Sequence, residues 1–271
     1  DCRATIDCLK ALGADIETLS DTELVIRGSG PQAFGEPSDV LDCGNSGTTM
    51  RLLLGLLSGL GVYSVITGDS SLRERPMRRV VQPLRRMAAR ISGRNDGEYA
   101  PLSVMGGGLR GIDYEMPVAS AQVKSALLLA GLYAQGRTVV TEPAASRDHT
   151  ERMLRAFGVT VDVQAGFAAL EGGQSLRATS IQVPADISSA AFFLVGAAIA
   201  PGSDITLTGV GLNPTRDGIV HVLRAMGARI DVLNERQAGG ETLADLRGRY
   251  DAWFEDVRGT REFTPGVIHL G

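Results

Sequence analysis

A pattern that returns four times along the chain narrows the possible folds more than any other feature. Leu-x-x-Φ-small-x-x-Ile/Val, with Φ apolar, occupies residues 9–16, 84–91, 154–161 and 223–230. The first leucines (Leu9, Leu84, Leu154, Leu223) are 75, 70 and 69 residues apart. Each copy reads as the end of an amphipathic helix, a glycine or alanine turn and the entry to a strand. Upstream, Met77, Val80, Val81, Leu84, Met87 and Ala88 fall on one helical face, as do Ile219, Val222, Leu223 and Met226.

A second element repeats in step. Residues 46–61, 120–136 and 188–202 start at small polar residues, become almost wholly apolar and stop at glycine. Such helices are buried ones, and a closing glycine suits a C-terminal cap. Strands are expected directly after them, at 62–67, 138–141 and 205–208. A polar loop bearing an arginine follows, then the amphipathic helix. One unit is therefore buried helix, strand, amphipathic helix and further strands. This predicts an α/β or α+β protein, and the period is too long for an ordinary solenoid.

The repeat also speaks to domain organisation. Residues 1–16 carry only the second half of a unit, and residues after 256 show no apolar helix where the next one is due. The chain opens at Asp1 inside a helical pattern, so a piece of a longer protein is expected.

Composition excludes several classes. Lys and Arg number 27 against 31 Asp and Glu, a net charge of -4. A nucleic-acid binder working by bulk electrostatics would carry a large positive excess. The apolar stretches fall short of the ~20 residues that span a membrane. Three cysteines (Cys2, Cys8, Cys43) form no even framework, which points to a reducing compartment. The histidines (His149, His221, His269) are scattered, without metal-ligand spacing. The 34 glycines predict frequent tight turns and close backbone packing.

The chemistry gathers at helix starts. Residues 42–51 (DCGNSGTTMR) run a small glycine-bearing loop into a buried helix. Free backbone N–H groups and the helix dipole suit a phosphate or carboxylate there. Ser120-Ala121-Gln122 and Ser188-Ser189 open the other two apolar helices. Serine capping explains each start taken alone; three equivalent starts can also converge on one cleft. Arginine loops precede the amphipathic helices: Arg75 ahead of Pro76, Arg147 within Ser146-Arg147-Asp148-His149, and Arg216. Proline suits a helix's first turn, which would hold Arg75 at a helix start, ready for two hydrogen bonds to an anion. Residues 73–94 carry eight arginines, so Arg75 is equally readable as solvated surface. Lys124, inside an apolar helix, pairs with a buried acid or snorkels outward. His149 is a helix cap or a proton carrier. Cys43 is a small buried residue or a thiol activated by a helix start.

Five ordered segments are specific enough to show kinship: residues 42–51, 68–77 (GDSSLRERPM), 120–129 (SAQVKSALLL), 142–154 (EPAASRDHTERML) and 183–194 (VPADISSAAFFL). Together they resemble the EPSP synthase (3-phosphoshikimate 1-carboxyvinyltransferase) family. That resemblance implies an inverse α/β barrel of repeated βαβαββ units in two domains, here 1–184 and a truncated 185–271, with substrates bound between them. It implies transfer of enolpyruvyl from phosphoenolpyruvate to the 5-hydroxyl of shikimate 3-phosphate, a transferase step of the shikimate pathway of chorismate and aromatic amino-acid biosynthesis. No metal or cofactor is implied. By motif, Gly47, Arg75 and Gln122 are expected at phosphoenolpyruvate. Ser120, Ala121, Gln122, Ser146 and Arg147 are expected at shikimate 3-phosphate, and Asn45 would shape the first loop. Glyphosate would share the phosphoenolpyruvate site.

The family's lysine motif is expected upstream of Asp1 and its catalytic aspartate downstream of Gly271. No catalytic residue is therefore assigned within this chain, which is expected to be inactive alone. The sister enzyme acting on UDP-N-acetylglucosamine is the nearest rival, disfavoured because residues 68–77 lack its reactive cysteine. A non-catalytic anion-binding module on the same fold is the other. A cytoplasmic monomer, with no nucleic-acid or membrane partner, completes the expectation.

Overall fold

The computed structural model describes residues 1–250. The chain packs as two units. The first comprises residues 1–146 and 157–178; the second comprises residues 147–156 together with the chain from 179 onward.

In the first unit, helix α1 (Cys2–Ala11) leads into the hairpin β1 (Asp15–Ser20) and β2 (Glu23–Arg27). A complete βαβαββ set follows: β3 (Leu41–Asp42), α2 (Gly47–Gly59), β4 (Tyr63–Thr67), α3 (Arg78–Arg86), β5 (Arg90–Gly93), the turn α4 (Arg94–Gly97) and β6 (Tyr99–Met105). Its sheet order is β3-β4-β6-β5, with β3 parallel to β4 and the other pairs antiparallel. The next set contains β7 (Asp113–Glu115), α5 (Ala121–Gly131), β8 (Arg137–Thr141), α6 (His149–Ala156), β9 (Asp162–Gln164) and β10 (Phe167–Glu171). It repeats the arrangement as β7-β8-β10-β9. Helix α6 itself groups with the second unit.

The second unit continues with α7 (Ile187–Ile199), β11 (Asp204–Gly211), α8 (Gly218–Ala225), β12 (Arg229–Ala238) and β13 (Glu241–Arg249). A parallel bridge from Ala185 to Val210 stands where β3 and β7 stand earlier, and the order β11-β13-β12 completes the same pattern. The repeat expected from sequence is thus a topological one. Among the described residues the sheets are open, and none closes into a barrel.

The marker turn has one backbone solution throughout. Gly13, Ala88, Gly158 and Gly227 are all left-handed, with φ of 101°, 74°, 84° and 89°. Glycine takes this conformation without a Cβ clash, and Ala88 takes it with one. That turn lifts Ala88 out of the apolar face expected for it. Ala88 is exposed and Ala89 is buried in its place.

Helices α2 and α5 lie against each other in the first unit. Gly55 makes the approach possible, because a Cβ there would overlap the Ala126 carbonyl. Around this pair pack Met50, Leu54 and Leu57, strand residues Ile66, Leu102 and Val104, and α3 residues Val80, Val81 and Leu84. The third apolar helix departs from expectation. Helix α7 buries Ile187, Ala190 and Leu194, yet Phe192 is 80% and Phe193 62% exposed. Its sheet covers one face, and no second apolar helix of the described residues in its unit covers the other.

Pro76 also falls outside the helix start expected for it. Met77 is the N-cap of α3, and Arg75 ends the short 3-10 turn Leu72–Glu74. Ser46 caps α2 and Ser120 caps α5, accepting from Thr49 N–H at 3.1 Å and Val123 N–H at 3.4 Å. At α7 the cap is Asp186 instead of serine, accepting from Ser188 N–H at 3.2 Å.

Candidate functional site

Two loops meet at the start of α2. Asp42 accepts from Gly44 N–H at 2.8 Å, and Gly44, at φ 55°, turns the chain into the helix. The loop after β4 donates Asp69 N–H to the Gly44 carbonyl at 2.8 Å. Gly68 permits that contact, since a Cβ there would lie 2.5 Å from the Gly44 oxygen. Asn45 then joins both loops. Its amide donates to Asp69 at 2.7 Å, and its carbonyl oxygen accepts from Arg75 at 2.6 Å. The Asn45 hydrogen bond is the main reason that the Asp69 carboxyl is held below the usual carboxylate range, with help from Leu72 N–H and the Arg75 charge.

Gly47 is buried at the head of α2. A Cβ on it would stand 2.8 Å from Arg51 Nη1 and 3.4 Å from Arg75 Nη1. Two guanidinium groups therefore flank a backbone that carries no side chain. Arg51 was not singled out from sequence, although it is the sole charge in the apolar run 46–61. Burial depresses its pKa, with the nearby charges of Arg79 and Arg75 adding to the effect. Cations gathered this closely favour an anion between them.

The start of α5 closes on the same place. Gln122 accepts from Arg51 Nη1 at 2.7 Å and donates to Thr48 Oγ1 at 2.8 Å. Ser120, Ala121 and Gln122 are half-buried in this first turn. Ser146, also half-buried, donates its hydroxyl to Glu142 at 2.5 Å. Glu142 in turn accepts from Lys124 Nζ at 2.7 Å, and both of those side chains are 3% exposed. Of the two sequence alternatives for Lys124, pairing with a buried acid is the one found.

Gly47, Arg75, Ser120, Ala121, Gln122 and Ser146 thus belong to one unit, in which Arg75, Gln122 and Ser146 are held by side-chain hydrogen bonds. Arg147 is half-buried and belongs to the second unit. His149, in the same unit as Arg147, meets Glu241 at 2.6 Å, while Asn213 binds Asp148 at 2.7 Å and Glu241 at 3.1 Å. The second unit repeats the arginine-at-a-helix-start arrangement: Arg216 reaches Asp186 at 3.0 Å and Ser188 Oγ at 2.6 Å, at the head of α7. Cys43 is buried, and its hydrogen bond with the Cys8 thiol, followed by burial, pushes its pKa up, the reverse of an activated thiol.

Repeated βαβαββ units, with arginines set around a bare glycine at the start of one helix and a glutamine reaching in from the start of the next, define an α/β protein with a cation-rich cluster at its helix starts. Comparison with known proteins gives the family. The model of EPSP synthase (3-phosphoshikimate 1-carboxyvinyltransferase) matches residues 1–249, and the chain belongs to that family. The 3-phosphoshikimate 1-carboxyvinyltransferase of Citrifermentans bemidjiense is 55% identical over 92% of this chain and 58% of that protein. The one from Synechococcus sp. is 58% identical over 92% of this chain and 57% of that protein. The solved EPSP synthase from Acinetobacter baumannii superposes with a TM-score of 0.86 at 51% identity, covering 91% of this chain and 56% of that one. This chain therefore spans a little under three-fifths of the length of these relatives. Among the described residues no helix is long and apolar enough to cross a membrane.

Proposed function

We propose that the protein transfers the enolpyruvyl group of phosphoenolpyruvate to the 5-hydroxyl of shikimate 3-phosphate, releasing phosphate. The observation that carries this reading is the pair Arg51 and Arg75 flanking Gly47, with Gln122 tied to Arg51 from the next helix. The absent side chain at Gly47 lets both guanidinium groups come up to the helix-start backbone, where their N–H groups can serve one compact anion. In this reading Gly47, Arg75 and Gln122 hold phosphoenolpyruvate. Ser120, Ala121, Gln122, Ser146 and Arg147 hold shikimate 3-phosphate. Support comes from the family membership and from relatives bearing the enzyme's name.

The chemistry requires a proton delivered to the methylene carbon of phosphoenolpyruvate, which makes the adjacent carbon electrophilic. The 5-hydroxyl oxygen adds there and gives up its proton, forming a tetrahedral intermediate. The carbon–oxygen bond to phosphate then breaks, and the methyl group returns a proton as the enol ether forms. Residues of this site bind and orient; none of them is assigned the proton transfers. The reading carries with it a cytoplasmic monomer that uses small-molecule substrates and no metal or cofactor.

Calorimetric titration of the chain with shikimate 3-phosphate, shikimate and UDP-N-acetylglucosamine tests the substrate class. Shikimate 3-phosphate should bind about tenfold or more tightly than shikimate, because charge-assisted bonds to its phosphate are lost in the latter. Equal binding of the two, or binding of the uridine nucleotide instead, would overturn the reading.

A further inference from the structure

Glu142 closes the loop 142–146 on itself. Its Oε1 accepts from Lys124 Nζ at 2.7 Å and from Ser146 N–H at 3.2 Å, and its Oε2 accepts the Ser146 hydroxyl at 2.5 Å. A buried ion pair is costly to desolvate and is weak as a source of stability. Placed beside a ligand loop, this pair calls for another role. We propose that Glu142, with its charge balanced by Lys124, is the positioning residue that sets the Ser146 oxygen for the phosphate of shikimate 3-phosphate. This rests on the reading that Ser146 meets that phosphate.

The geometry explains why a charged pair serves where a neutral residue would not. One carboxylate accepts from the backbone N–H and the hydroxyl of Ser146 together, which fixes both the loop and the serine rotamer. When phosphate binds, the single hydroxyl proton turns about the Cβ–Oγ bond from Glu142 Oε2 onto a phosphate oxygen, and the Ser146 N–H bond to Glu142 Oε1 keeps the residue in place. A bare carboxylate so close would repel a phosphate, and Lys124 cancels that charge. Lys124 also sets the reference frame. It sits one turn into α5, with its backbone N–H on the Ser120 carbonyl at 3.0 Å. Ser120, Lys124, Glu142 and Ser146 therefore form a chain of contacts that registers two serines, from different elements, to one helix.

The test is a titration of the full 271-residue chain with shikimate 3-phosphate and with shikimate. The variants are Ser146→Ala, Glu142→Ala, the two combined, and Glu142→Gln, with thermal unfolding followed alongside. Should Glu142→Ala fail to fold, Lys124→Met with Glu142→Leu removes both charges together and takes its place. Ser146→Ala and Glu142→Ala should each weaken shikimate 3-phosphate about tenfold, the size of one lost charge-assisted hydrogen bond. Binding of shikimate should hold within about twofold. The combined variant should bind no worse than Ser146→Ala alone, since residues acting through one contact do not add. Glu142→Gln, which keeps one acceptor for the loop, should recover most of the loss. Additive losses, or an equal loss for shikimate, would reduce Glu142 to a fold-stabilising residue and overturn the proposal. If Ser146→Ala leaves shikimate 3-phosphate binding unchanged, the assignment of Ser146 fails and the proposal fails with it. If the unaltered chain binds neither compound, the substrate reading itself fails.

Discussion

Gln122 and Arg51 stand 71 residues apart in the chain and meet at 2.7 Å, joining the first turns of two helices. The acceptor matters because Arg51 is half-buried among other cations. Gln122→Ala should cost about 1–2 kcal/mol, as for a lost hydrogen bond to a partly buried charge. Urea unfolding measures it, and a change under about 0.5 kcal/mol would show that solvent replaces Gln122 freely.

Gly47→Ala separates binding from stability. The new Cβ would press on the ends of two flexible guanidinium groups and leave the backbone untouched. Stability should change by less than about 1 kcal/mol, because alanine also favours a helix over glycine. Affinity for phosphoenolpyruvate should fall about tenfold as the cations are displaced. Calorimetry and thermal unfolding on one sample distinguish this from a general loss of fold.

The marker turn yields a stabilising change. Ala88 sits at φ 74° where its three counterparts are glycine. A left-handed residue with a Cβ costs about 1–2 kcal/mol, partly offset by glycine's greater freedom when unfolded. Ala88→Gly should therefore stabilise by about 0.5–1 kcal/mol. Gly13→Ala should do the reverse, because its Cβ would lie 2.8 Å from the Ala33 carbonyl oxygen at φ 101°. Chemical unfolding of the two variants should shift the midpoint in opposite directions.

Asp69 gives the loop a pH dependence of known sign. Its folded pKa is lowered, chiefly by the Asn45 hydrogen bond. A lowered carboxyl adds stability that is present in full above the unfolded value near 3.9 and is lost as pH falls through the folded one. The stability difference between the unaltered chain and Asp69→Asn should be flat from about pH 7 to 5 and shrink below about pH 4. A difference that instead changes between about pH 5 and 7 would assign the effect to another group.

Much of the architecture was legible because the hydrophobic period, the turn glycines and the 69–75-residue spacing all report the same unit. The sheet order β3-β4-β6-β5 and its repetition were not, since strand pairing depends on partners far along the chain. Helix α7 shows the limit of composition: an all-apolar sequence states what a helix tolerates, and neighbouring elements decide which faces are covered. At the candidate site, Arg75, Gln122 and Ser146 could be named from motifs, whereas Arg51 and Glu142 were passed over. Each of those two carried a signal of its own. Arg51 is a lone charge in an apolar run, and Glu142 stands four residues before Ser146, the spacing that lets it close the loop.

Convergence of Arg51 and Arg75 on the backbone at Gly47 is the claim on which the functional reading depends, and a charge-removal cycle tests it most directly. Phosphoenolpyruvate binding would be measured for the unaltered chain, Arg51→Ala, Arg75→Ala and the double variant, with the fold checked by circular dichroism. Each single change should weaken binding about tenfold or more, and the double change should fall short of the product because the two cations share one anion. Affinity held within about twofold in both single variants, with the fold intact, would contradict the account.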